Sequence, residues 1–458
     1  MDATTLGIAR YVAEAGFNDF PERAIHEARR RVIDSVACAA AAYREPFCGS
    51  IRSFAARYAA TPAARIWGSG QATSIEMAAF ANGTMVRYQD YSDTHLGRSN
   101  GHPSDIIGGL IALAEACSLS GEALVTAIIV AYETYCSLCD STALASRAVD
   151  QATCAAAGAA AGAARLLGLG YEQAGAAISL ALSSGVQLYN VRAGDLSDWK
   201  GCAGPNGARN GLFAALLARE GVTGPTAVVE GKGGLRDLVG ELDWKAGAGA
   251  MPRIVDTHLK FHPVCYHGQA AVDAALAVRA MLAGQQTQGI AFIEAIEVET
   301  YEAAFRAMGS DPTRWAPTNR ETADHSLPYA VAVAWMNGKL TSADYERERL
   351  EDAAIRSLMA RVRVGASAEL TQAFPAHSRS RVTVRMKDGA VYSHLQDDPK
   401  GSAANPLTDA ELESKFLELY RSWGDGQRGR QTLDMLWSVD RLADISQLAD
   451  RLCEAPEA

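Results

Sequence analysis

The chain lacks a basic excess, a disulfide framework and the short motifs of several large enzyme classes. Its formal net charge is −10 over 458 residues, which argues against a nucleic-acid partner. An acidic protein that takes an acidic small molecule must gather cations locally. Nine cysteines are scattered, mostly inside apolar runs, and Cys38, Cys154 and Cys202 read as small core residues. Cys136 and Cys139 form a lone CxxC with no second pair or suitably spaced histidine, so packing outranks zinc or redox work. An odd, unframed cysteine count points to a reducing compartment. The opening MDATTLGIARYVAEAG has no signal-type apolar core, so the expected location is cytoplasmic. Charges and glycines interrupt the Ala-rich runs, and no segment reads as a membrane span. HExxH and GxSxG do not occur, no solenoid period is visible, and EGKGGL at 230–235 lacks phosphate-loop spacing.

What is present is helical. Apolar content is 48% and charged content 21%, normal for a globular chain, and the length predicts two domains. Residues 22–42 form an amphipathic pattern with Ile25, Ala28, Val32, Ile33, Val36 and Ala40 on one side and Pro21 at the first helical position. Helical patterns also cover 4–15, 50–60, 74–88, 106–116, 122–139 and 171–184. Residues 151–167 are almost all Ala and Gly, which predicts a central, buried helix. DLSDWKGCAGPNG at 195–207 interrupts the series before a helix at 208–220. Only helices are expected before 240. After a helix at 270–283 the period changes. Residues 296–300, 362–364 and 382–386 alternate apolar and polar, and the turn Asp388-Gly389 before 390–392 reads as a hairpin. Amphipathic helix returns from 405. The expected fold is mainly α: a large all-α domain of 1–265 plus 403–458, with a smaller α/β lid domain of 266–402.

The stretch 82–104, NGTMVRYQDYSDTHLGRSNGHPS, sets ionisable side chains between two apolar runs. Such groups are costly there unless satisfied or used, and from the residues alone both readings stay open: a capped, hydrogen-bonded loop, or a site. Lys200 by itself reads as snorkelling to solvent. His95 and His102, seven apart, could share a helix side, but Gly97 and Gly101 interrupt the stretch and a metal site is not expected. The interruptions together supply Arg87, Asp90, Thr94, Arg98, His102, Lys200, Lys260, His267 and Tyr329. That set offers cations for carboxylates, acid/base groups and orienting hydroxyls. It suits elimination, decarboxylation or epimerisation of a polycarboxylic acid, all through a carbanion-like species that cations can stabilise. None of these requires a metal. A non-catalytic polycarboxylate-binding protein or a structural helical protein are the readings outside enzymes.

Arg87-Tyr88-Gln89-Asp90-Tyr91-Ser92-Asp93-Thr94 followed by His102-Pro103-Ser104-Asp105 resembles the signature of the MmgE/PrpD family, as do DWKG at 198–201, the Lys260 to Gln269 segment and TADHSLPY at 322–329. Family activities are 2-methylcitrate dehydration, cis-aconitate decarboxylation and iminodisuccinate epimerisation. The resemblance implies a cofactor-free homodimer with a helical domain and a smaller α/β lid. It implies catalytic Asp90, Thr94, His102, His267 and Tyr329, and substrate-binding Arg87, Lys200 and Lys260. Arg87-x-x-Asp90 and His102-Pro103-Ser104-Asp105 are most similar to the dehydratases. Gln151 stands where many relatives have a histidine, and Cys265 where the decarboxylases place a catalytic one, which counts against decarboxylation. The implied reaction is loss of water from a hydroxy-polycarboxylate of the 2-methylcitrate type, with the epimerase and decarboxylase as alternatives. Which of His102 and Asp90 is acid and which base is open.

Overall fold

The computed structural model describes residues 1–247, 249, 251–282 and 289–454. The chain is mainly α and divides into two compact units. The first comprises Met1–Arg192, Asp198–Leu259 and Thr408–Ala458, and the second Ala193–Ser197 and Lys260–Leu407.

In the first unit the helices include α1 Ala3–Glu14, α2 Glu22–Ala42, α3 Pro46–Ala55, α4 Ile75–Arg87, α5 Ile107–Ala116, α6 Gly121–Ser141, α7 Ala152–Leu166, α8 Tyr171–Gly185 and α9 Trp199–Arg219. The Ala/Gly helix α7 packs against α6, α8 and α9. Small residues permit this closeness. A β-carbon on Gly162 would meet Ala131 Cβ of α6 at 2.8 Å, and one on Gly211 would meet Ala159 Cβ of α7 at 2.7 Å. Neither position tolerates a side chain without moving a helix. Two details of the sequence reading change. Pro21 precedes α2 as its N-cap instead of opening it, and α9 begins nine residues before the expected start at 208, with Pro205 inside it. Proline removes one helical hydrogen bond. Packing against α4, α7 and α8 holds the helix through this weak stretch, as tertiary contacts generally outweigh propensity.

Among the described residues α6 is long and apolar enough to cross a membrane by length and composition, where the sequence reading found no such segment. Its most apolar window is 89% buried inside the protein, as a core helix is. Short strands also occur where only helices were expected. β1 Ala64–Arg65 pairs with β2 Ala72–Thr73, and β3 His95–Leu96 with β4 Asn100–Gly101, both antiparallel. The second pair makes a small hairpin of the polar stretch between α4 and α5.

The second unit carries β5 Ile293–Thr300, β6 Val362–Ala366, β7 Ser380–Met386 and β8 Val391–Gln396 in the order β6-β5-β7-β8. β5 runs parallel to β6 and antiparallel to β7, and β7 antiparallel to β8. Val382, Val384 and Met386 alternate inward from β7, joining Ile293, Ile296 and Val298 of β5. They form one core with helices Gln269–Met281 and Leu327–Asn337. Ala283, the expected end of the first of these helices, lies outside the described residues. Helix Asp409–Tyr420 returns the chain to the first unit and packs on α2.

Candidate active site

The first unit holds five of the eight proposed site residues, in two groups. α4 is capped by Ser74, whose hydroxyl accepts from Met77 N at 3.3 Å, and it ends at Arg87. Asp90 then adopts φ +49°, a left-handed conformation that few side chains take and that aspartate tolerates better than most. The turn is closed by Asp90 N donating to Arg87 O at 3.1 Å, and the Arg87 Nη1 group donates to Asp90 Oδ1. Lys200, in the first turn of α9, brings Nζ to 3.9 Å from Asp90 Oδ2. Arg87, Asp90 and Lys200 are each 1% exposed. Lys200 therefore does not snorkel to solvent; it is the second cation on one buried carboxylate. Arg192 fixes the start of α9 by donating to Lys200 O at 3.2 Å while pairing with Asp150 at 3.0 Å.

Thr94 and His102 form the second group. Thr94 is held by a two-way backbone bridge with His258, at 2.8 and 2.7 Å. His102 Nδ1 lies 2.8 Å from the Asp93 carbonyl and 3.2 Å from Thr94 Oγ1. A carbonyl only accepts, so Nδ1 carries the proton, and the neutral ring keeps its lone pair on Nε2. Asp93 holds this arrangement from behind. Its carboxylate accepts from Ser104 N at 3.0 Å and Tyr132 OH at 2.8 Å, with Arg31 Nε at 3.8 Å. Lys415 adds a hold from helix Asp409–Tyr420. Its Nζ donates to Tyr91 O at 3.0 Å and to Asp34 Oδ1 at 2.7 Å. His95 turns elsewhere, to Asp140 Oδ1 at 2.8 Å. It lies on β3 whereas His102 precedes the 3-10 turn Pro103–Ile106, so the two share no helix face.

Lys260, His267 and Tyr329 belong to the second unit. Lys260 is fully buried. The turn after it is closed by Gln269, whose side chain accepts from His262 N at 3.0 Å and donates to the carbonyls of His262 and Val264 at 2.7 and 3.0 Å. His267 Nδ1 meets Tyr301 OH at 2.6 Å, and Tyr301 stacks on Phe374. Tyr329 OH donates to the Asp344 carbonyl, and burial pushes its pKa well up. Arg98 is exposed and donates to Ser141 O at 3.3 Å, apart from the buried groups. Cys136 and Cys139 are buried thiols whose pKa values burial drives upward, as packing residues should be.

The sequence reading missed Asp93 and Asp105 as site components. The signal for Asp93 was a second carboxylate three residues after Asp90. Asp105, in the 3-10 turn after His102, is completely buried beside Arg87, with Oδ1 3.9 Å from Arg87 Nε. Burial pushes its pKa up to about 7, against the pull of Arg87 and Arg192.

Comparison with known proteins places the whole chain in one family. The MmgE/PrpD N-terminal domain matches residues 7–245, and the MmgE/PrpD C-terminal domain matches 262–440. The 2-methylcitrate dehydratase of Cupriavidus necator is 28% identical over 414 residues, covering 85% of this chain and 82% of the relative. That of Salmonella typhimurium is 29% identical over 350 residues, covering 72% and 71%. An alkylcitrate dehydratase from a fungal species is 26% identical over 461 residues, covering 93% and 89%. With both domain models matched along most of its length, the chain belongs to the MmgE/PrpD family.

Proposed function

We propose that the protein is a hydro-lyase that removes water from a hydroxy-tricarboxylate of the 2-methylcitrate type, without a metal, with the smaller unit as its lid. The observation that carries this reading is the buried pairing of Asp90 with both Arg87 and Lys200; His102, whose Nδ1–H donates to the Asp93 carbonyl, keeps a lone pair on Nε2. His102 Nε2 takes the proton α to a substrate carboxylate. The C–H electron pair becomes the new C=C bond, the C–O bond breaks, and an acid delivers a proton to the departing hydroxyl as water. Asp90, in its protonated form, is that acid. Lys200 holds a carboxylate and stabilises the enolate-like charge that develops on it. The Thr94 hydroxyl steadies the imidazole. Lys260 is assigned a substrate carboxylate, and His267 and Tyr329 supporting roles, on family resemblance alone.

Names of relatives support the dehydratase over the epimerase and the decarboxylase. The test is a panel of 2-methylcitrate, citrate, cis-aconitate and iminodisuccinate. Ultraviolet absorbance reads formation of a conjugated alkene acid, released carbon dioxide reads decarboxylation, and polarimetry reads epimerisation. Alkene formation from 2-methylcitrate supports the proposal. Thermal stabilisation by these acids with no turnover of any would replace it with a carrier.

A further inference from the structure

Asp105 is a fully buried ionisable group that the proposed reaction leaves unused. Its carboxylate lies where α4 and α9 come close. A β-carbon on Gly204 of α9 would sit 2.5 Å from Asp105 Cγ, and one on Gly83 of α4 would sit 3.2 Å from Asp105 O. Both glycines leave room for this residue. Neither carboxylate oxygen has a hydrogen-bond partner of good geometry among the described residues, which is expensive for a buried group unless the charge serves a purpose. The nearest cation is Arg87, whose Nη1 is on Asp90 and whose Nε is 3.9 Å from Asp105. One guanidinium is thus shared between two carboxylates. Gly204 lies one helical turn after Lys200, so α9 presents a cation to Asp90 and a vacant position to Asp105.

We propose that Asp105 is a positioning residue that shares Arg87 with Asp90 and thereby sets how readily Asp90 keeps its proton. When Asp105 is an anion, part of Arg87's attraction is diverted and Asp90 holds a proton at higher pH. When Asp105 is neutral, the whole guanidinium charge falls on Asp90. The other groups facing Asp105 are Arg192 from the turn before α9, Asp93 from the loop, Gln151 before α7 and Tyr135 from α6. Arg192 is paired with Asp150, whereas Arg87 stands between Asp90 and Asp105. The proposal rests on Asp90 as the acid of the reaction.

The test is the pH dependence of kcat on 2-methylcitrate for wild type, Asp105→Asn and Asp90→Asn. Asparagine keeps the volume and removes the charge. The alkaline limb, where the acid loses its proton, should move to lower pH by ~2 units, the scale of one like charge ~6 Å away at an effective dielectric near 20. KM should change little. A merely structural role would lower kcat at every pH alike. Gly204→Ala displaces the Asp105 carboxylate while keeping its charge, and should move the limb in the same direction. If Asp105→Asn does not fold, Gly204→Ala decides alone. An unmoved limb in a folded variant overturns the proposal. If Asp90→Asn abolishes turnover while that limb stays put, Asp90's role stands and only the Asp105 proposal fails. If Asp90→Asn keeps full turnover, the acid assignment itself is wrong.

Discussion

Replacing Asp105 by asparagine should reverse part of the protein's pH-dependent stability. In the folded chain burial holds the Asp105 pKa at about 7, against an ordinary 3.8. The folded state therefore keeps a proton that the unfolded chain has already released. Stability falls as pH rises from about 4 to about 7 and levels off above that. A gap of this size corresponds to ~4 kcal/mol in full, and the share falling between pH 5 and pH 8 is ~3 kcal/mol. Asparagine does not titrate, so the variant lacks this loss. Urea midpoints at pH 5 and pH 8, followed by circular dichroism, read the difference between variant and wild type. The variant should gain on wild type by ~1–3 kcal/mol between these pH values, the lower bound allowing for relaxation around Arg87 and Arg192. Other titrating groups are common to both chains and cancel to first order. A difference that stays constant from pH 5 to pH 8 would refute a buried, high-pKa carboxylate at this position.

His258 works in the opposite direction. Burial holds its pKa down at about 3 against an ordinary 6.5, so the stability tied to its neutral form is lost as pH falls below about 6.5. His258→Gln should lose less stability than wild type between pH 7 and pH 5, measured by urea titration. Lys200→Met should raise KM for the polycarboxylate if the lysine binds ground and transition states alike, and lower kcat if it acts mainly on the developing enolate; initial rates separate the two, and unchanged values of both would remove it from the site. Dialysis against a chelator should leave kcat unaltered, since the proposed proton transfers use only side chains; activity lost to the chelator and restored by a divalent ion would refute metal independence.

The helical character was legible because apolar period dominates it. Ile25, Val32, Ile33 and Val36 locate α2, and its observed bounds, Glu22–Ala42, are those read from that stripe. The start of α9 was not legible. Gly201, Gly204, Pro205 and Gly207 all signal a break, and only the close fit of those small residues against neighbouring helices keeps the helix whole. β3 and β4 are two residues each, too short to carry a period. For the site, Arg87, Asp90, Thr94, His102 and Lys200 stood out as polar residues at breaks between apolar helices. Their burial did not, so the residue alone gave Lys200 as solvent-seeking and only the resemblance made it substrate-binding. Asp105 was invisible as a functional group because an aspartate in the first turn of a helix ordinarily serves the helix end. The backbone approach at Gly204 that strips water from it is a property of the packed fold alone.

The central claim is that His102 Nε2, which keeps its lone pair because Nδ1–H donates to the Asp93 carbonyl, abstracts the α-proton. Its most direct test is kcat for alkene formation from 2-methylcitrate by His102→Ala beside wild type. The account predicts a fall of roughly a hundredfold or more, the usual scale for losing an acid/base group, in a protein that still unfolds like wild type. An undiminished kcat would contradict the account and remove His102 from the reaction.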